Sequence, residues 1–94
     1  MEAILTDNPS FDRLCQALTT IKNGEEAAAF LRDLCTVSEI VAMTERLEVA
    51  RQIQEGRSYR KINEETGMST ATITRVAHWL HHGTGGYGLM LERI

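Results

Sequence analysis

Two serines, Ser58 and Ser69, stand eleven positions apart with a single glycine, Gly67, between them. A serine accepts a hydrogen bond from the backbone amide two or three residues further on, so each reads as a helix N-cap. Gly67 tolerates the left-handed conformation that stops a helix. The spacing predicts a short helix over Tyr59–Thr66 and a second from Ser69 to about His82, which is the plan of a helix-turn-helix. The apolar residues suit that packing. Ile62 lies inside the first helix, Met68 follows the glycine, and Ile73, Val76 and Leu80 share one side of the second. Asn63 departs from the pattern, because the close approach of two such helices usually takes Ala or Gly. An ordinary helical hairpin would show similar punctuation.

At 100° per residue, with Ile73 defining the inner side, Ala71, Arg75, His78 and His82 point outward and Thr70 and Thr74 flank them. Ser69, Thr70, Ala71 and Thr72 are small enough to let a backbone approach base edges. Threonine hydroxyls and methyls contact either kind of base pair or a thymine methyl. Arg57, Arg60 and Lys61 suit phosphate contacts that set register. The net charge of −3, taken whole, opposes duplex DNA as the partner. Divided along the chain, residues 1–50 carry −5, 51–75 carry +2 and 76–94 are neutral. Local charge matters more than the total for a phosphate backbone.

Upstream the signals are helical as well. Asn8-Pro9 places a cap before a proline at the first helical position. Phe11, Leu14, Leu18 and Ile21 then form one face. Asn23-Gly24 is expected to end that helix, and another is expected over about Glu25–Cys35, with Ala27, Phe30, Leu31 and Leu34 as its stripe. Thr36-Val37-Ser38-Glu39 is a capping box. The helix it opens, 37–55, is the longest and is closed by Gly56. Ile40, Met43, Leu47 and Ala50 run along it, widened by Val49 and Ile53. A stripe that long needs more apolar surface than two short helices offer, and a second copy of the chain is the economical partner. A chain of 94 residues also buries only about two-thirds of its surface alone. The expectation is an all-α homodimer of roughly six helices.

No apolar run approaches the length of a membrane span, and the first ten residues lack the pattern of a signal peptide. Cys15 and Cys35 fall in apolar helical patterns, as reduced core thiols of a cytoplasmic protein would. These features leave a small helical protein with no membrane partner.

The run Ala71-Thr72-Ile73-Thr74-Arg75, within Thr36–Leu80, resembles the Trp repressor superfamily. Thr44-Glu45-Arg46 matches its long central helix. Nearly the whole chain, including Gly83-Thr84-Gly85-Gly86-Tyr87, is similar to the YerC/YecD branch. The resemblance implies an intertwined, Trp-repressor-like homodimer whose two helix-turn-helix units read successive major grooves. Residues 1–57 would form the dimerisation helices, 58–82 the helix-turn-helix and 83–94 a glycine-rich tail. It also implies a small-molecule site. Arg46 and Arg75 match two arginines that sandwich tryptophan and hold its carboxylate, and Thr36 matches a threonine supplied by the partner chain. Val76 stands where the repressor has glycine, however, and Trp79 where it has a serine that touches the ligand. The link between Gly56 and Gly67 is also one residue shorter. Tryptophan is therefore not the expected effector. Either the protein's own Val76 or Trp79 fills the slot, or a smaller anion does.

Weaker signals stay in the background. His78, His81 and His82 have a spacing that could hold a metal, but the helix has no carboxylate or thiol to complete a site. Gly83–Gly88 formally matches a nucleotide fingerprint without the strand that must precede it, so a flexible hinge is expected there. No nucleophile–base pattern supports an enzyme. The competing function is a helical dimer that works through protein–protein contact and has lost DNA binding.

Overall fold

The computed structural model describes residues 1–94, and it is 78% helical with no strand. Seven helices follow one another: α1 (Ala3–Thr6), α2 (Pro9–Thr19), α3 (Gly24–Leu34), α4 (Val37–Gln54), α5 (Tyr59–Thr66), α6 (Thr70–His82) and α7 (Gly86–Arg93). They divide into two compact units, Met1–Val37 and Ser38–Ile94.

In the first unit Asn8 caps α2 by accepting from the Ser10 and Phe11 amides, with Pro9 at the first helical position. The expected stop at Asn23-Gly24 is a start instead. α2 ends earlier, at Thr19, and Asn23 caps α3 by accepting from the Glu26 amide. The Glu26 carboxylate reaches back to the Lys22 amide, close to a capping box. The short α1 carries no capping side chain, which is why no sequence signal announces it. No residue of α1, α2 or α3 is buried. Cys15 is exposed and Cys35 half-buried, so the expected core thiols are not in a core within this chain.

The second unit holds the entire core: Val49, Ala50 and Ile53 of α4, Ile62 of α5, and Ile73, Val76 and Ala77 of α6. Met68, Leu80, Tyr87 and Leu91 pack against it. α4 closes as a Schellman turn, the Gly56 amide donating to Ile53 and the Arg57 amide to Gln52. Its two sides differ. Val49, Ala50 and Ile53 are buried, whereas Val37, Val41 and Leu47, about half a turn away around the helix, are 57%, 48% and 37% exposed. The apolar stripe is thus covered only in part.

The flexible hinge expected over Gly83–Gly88 is instead a turn that runs directly into a helix. The chain reverses direction at Gly83–Gly85 and forms α7, whose Tyr87 and Leu91 return to the core. A Cβ at Gly83 would collide with the Trp79 carbonyl oxygen and lie 3.1 Å from the Trp79 ring, so only glycine permits this close reversal.

Candidate nucleic-acid interface

The local chemistry between Ser58 and His82 builds the expected unit residue by residue. Ser58 Oγ accepts from the Lys61 amide at 3.1 Å and opens α5. Gly67 takes φ +73°, a left-handed value that would strain any side chain. Ser69 Oγ accepts from the Thr72 amide and opens α6. Asn63, the residue that did not fit the pattern, has a clear role. Its Nδ2 donates to the Met68 carbonyl at 2.6 Å, tying α5 to the turn, while Thr66 Oγ1 accepts from the Met68 amide. A small residue at position 63 would allow close packing; asparagine instead satisfies a turn carbonyl.

The outward side of α6 is as the helical geometry requires. Thr70, Ala71, Thr74, Arg75, His78 and His82 are all exposed, above Ile73 at 0% and Val76 at 2% exposure. Ser69 is exposed but committed to capping, and half-buried Thr72 accepts from the Ser69 hydroxyl at 3.0 Å. Lys61 and Arg75 are exposed and form no ion pair. The other two cations are engaged. Arg60 pairs with Glu64 at 3.1 Å, and Arg57 pairs with Glu65 at 2.5 Å, with Glu55 at 3.9 Å. The first of these pairs is the ordinary one-turn spacing along a helix. The second spans eight positions and emerges only when the Arg57 link folds against α5.

A further charged group lies at the end of α4. Arg51 pairs with Glu48 and Glu55, and the Gln52 side-chain amide also donates to Glu48. These donors, Arg51 first and then Gln52, hold the Glu48 carboxyl down to about 2 from an ordinary 4.5. Arg51 is held up in turn, chiefly by its hydrogen bond to Glu48. A carboxyl lowered by folding contributes stability that is complete above pH about 4.5 and is lost as pH falls toward about 2. Glu48→Gln is therefore expected to make acid unfolding less steep across that window while leaving the profile above pH 5 unchanged in slope. Circular dichroism at matched protein concentration checks it, and an unaltered acid limb would contradict it.

Arg46 and Arg75 come together. With Val76, Trp79 and Tyr87 they line a hollow of about 260 Å³. Val76 lies in the core, and Trp79, 49% exposed, forms part of the wall without filling the space. A second hollow of about 480 Å³, lined by Leu47, Trp79, Thr84, Gly86, Tyr87 and Met90, shares two of those residues. The sequence pattern did not place Tyr87 here, because nothing local signals that α7 folds back. Thr36 belongs to the first unit and immediately precedes α4. His78 and His82 lie with ring centroids 5.4 Å apart, and they line a groove with His81, Tyr59 and Thr74.

The family model described as Trp repressor protein matches residues 9–94. The chain belongs to the Trp repressor family. That family comprises regulatory DNA-binding proteins and not enzymes, and the helix-turn-helix is a DNA-binding regulator fold. Among Trp repressor relatives, the uncharacterized protein YerC of Bacillus subtilis (strain 168) is 46% identical over 83 residues, covering 88% of this chain and 80% of its own. A crystal structure of a TrpR-like protein from Eubacterium eligens ATCC 27750 has 42% identity and a TM-score of 0.85, covering 92% of this chain and 89% of that one. A Staphylococcus aureus crystal structure has 41% identity and a TM-score of 0.89, covering 99% and 93%. The Trp-repressor-like helical fold expected from the ATITR run is thereby established. No helix is long and apolar enough to cross a membrane.

Proposed function

We propose that the protein is a homodimeric transcriptional regulator, a repressor, that binds specific duplex DNA sequences through α6. The observation that carries this reading is the exposed row of Thr70, Ala71, Thr74, Arg75 and His78, held on a helix whose opposite side is anchored by Ile73 and Val76. Short side chains at the start of a helix suit an approach to base edges, and the rigid support keeps them in register. Lys61 and Arg60, on α5, would meet phosphates. The dimer is supported by the apolar residues this chain leaves uncovered: the whole of α1–α3 without a buried residue, and Val37, Val41 and Leu47 on α4. Two units in such a dimer would address half-sites about 34–36 Å apart.

The arginine-lined hollow supports an effector as well. Arg46 and Arg75 would hold an anion, with Thr36 contributed by the second chain. Val76 and Trp79 stand where the repressor has glycine and a ligand-touching serine, which favours a ligand other than tryptophan.

Selection of bound sequences from random duplex DNA tests the reading, with sedimentation of the same sample giving the oligomeric state. Thr70→Ala and Thr74→Ala are expected to erode sequence preference by about 1–3 kcal/mol for each base-edge interaction removed. Lys61→Ala should weaken binding to every sequence and flatten the salt dependence by about one unit per phosphate released. Identical behaviour of the two classes would overturn the division of roles. A stable monomer at micromolar concentration would overturn the dimer. A dimer that leaves every duplex unbound at low salt would favour the protein–protein module instead.

A further inference from the structure

We propose that Glu64 and Glu65 restrain DNA binding: they pair with Arg60 and Arg57, two of the arginines expected to contact phosphates, so a duplex must displace carboxylates before these arginines grip it. The inference rests on the DNA-binding reading above and adds two residues to it that neither the family pattern nor the helix face would select. The helix-turn-helix and its leading link offer four cations, Arg57, Arg60, Lys61 and Arg75. Two of them are paired in the free protein, Arg60 with Glu64 one turn along α5 and Arg57 with Glu65 across the link, with Glu55 also 3.9 Å from Arg57. Lys61 and Arg75 remain uncommitted.

The physical consequence follows from how DNA affinity divides. Phosphate neutralisation supplies nearly all of non-specific binding, whereas discrimination comes from short-range contacts to base edges. Carboxylates paired to the phosphate-contacting arginines reduce the first and do not touch the second. The Glu64 and Glu65 side chains are 60% and 41% exposed, so each would stand near the DNA backbone as a like charge unless its partner were drawn away. Exposed ion pairs of this kind are weak, and a correctly docked duplex can open them. The effect falls on every sequence alike. It lowers the absolute affinity, keeping the protein off random duplex at concentrations where a site with full base recognition is still occupied.

The test uses the full chain with Glu64→Gln, Glu65→Gln and the double variant. Glu92→Gln serves as a control that changes net charge by the same step as each single variant and touches none of these pairs. Anisotropy is measured on a selected duplex and on a scrambled one, between about 50 and about 200 mM salt. The double variant is expected to bind both duplexes about tenfold more tightly than the control, with their affinity ratio unchanged and a steeper salt slope. Each single variant should show part of the gain. The singles disturb one pair each, so they carry the same test should the double variant unfold. Affinities within twofold of the Glu92→Gln control, or a gain confined to one duplex, would overturn the restraint while leaving DNA binding intact. If neither wild type nor any variant bound DNA at the lowest salt, the DNA-binding reading would fall and the restraint with it.

Discussion

Ile73→Ala is expected to destabilise the protein by about 2–5 kcal/mol. Ile73 is fully buried at the centre of a cluster that contains only seven buried apolar residues. Truncation removes the transfer free energy of its methyl and methylene groups and leaves a cavity among Val49, Ile62 and Val76, which partial relaxation does not close. For a domain whose total stability is of order 5–15 kcal/mol, that is a large fraction. Because Ile73 holds α6 against the rest of the unit, sequence preference should fall together with stability, unlike the Thr70 and Thr74 variants, which leave the fold intact. Chemical unfolding at fixed protein concentration is the measurement. A loss below about 1 kcal/mol would mean that α6 is anchored elsewhere.

Gly83→Ala should act differently. Its Cβ would collide with the Trp79 carbonyl oxygen, a backbone atom that cannot swing aside. Overpacking of this kind costs about 1–3 kcal/mol, and the strain has one outlet, displacement of α7 from α6. Tyr87 and Leu91 would then leave the core edge, and Trp79 would lose the neighbours that line its two hollows. Trp79 is the only tryptophan in the chain, so its emission reports the change directly. A red shift with lowered stability is expected. Wild-type emission and unfolding midpoint would show that the reversal tolerates a methyl group.

Most helix boundaries were legible because capping is local chemistry. Asn8, Ser58 and Ser69 each accept from an amide two or three residues on, and Gly56 and Gly67 close the helices before them, so short stretches of chain contain both partners. The same locality explains the one inverted boundary. Asn-Gly both ends and begins helices, and at Asn23 the outcome depended on Glu26 completing the cap. The outward face of α6 was legible for a related reason, since the helical period alone separates Thr74 and Arg75 from Ile73 and Val76.

Other features depend on residues distant in sequence. Gly86 and Gly88 argue against helix by intrinsic propensity, yet α7 forms because Tyr87 and Leu91 have an apolar surface to pack on. Its return also places Tyr87 in the wall of the Arg46–Arg75 hollow, which no spacing rule links to position 87. Arg57 and Glu65 are eight positions apart and become partners only through the turn between α4 and α5. Hydrogen bonds within one turn of chain need no further ordering, so caps and helical faces are written in consecutive residues. Contacts between separate elements require the chain to close loops and bury apolar surface first, and that cooperative step selects α7, the hollow and the Arg57–Glu65 pair.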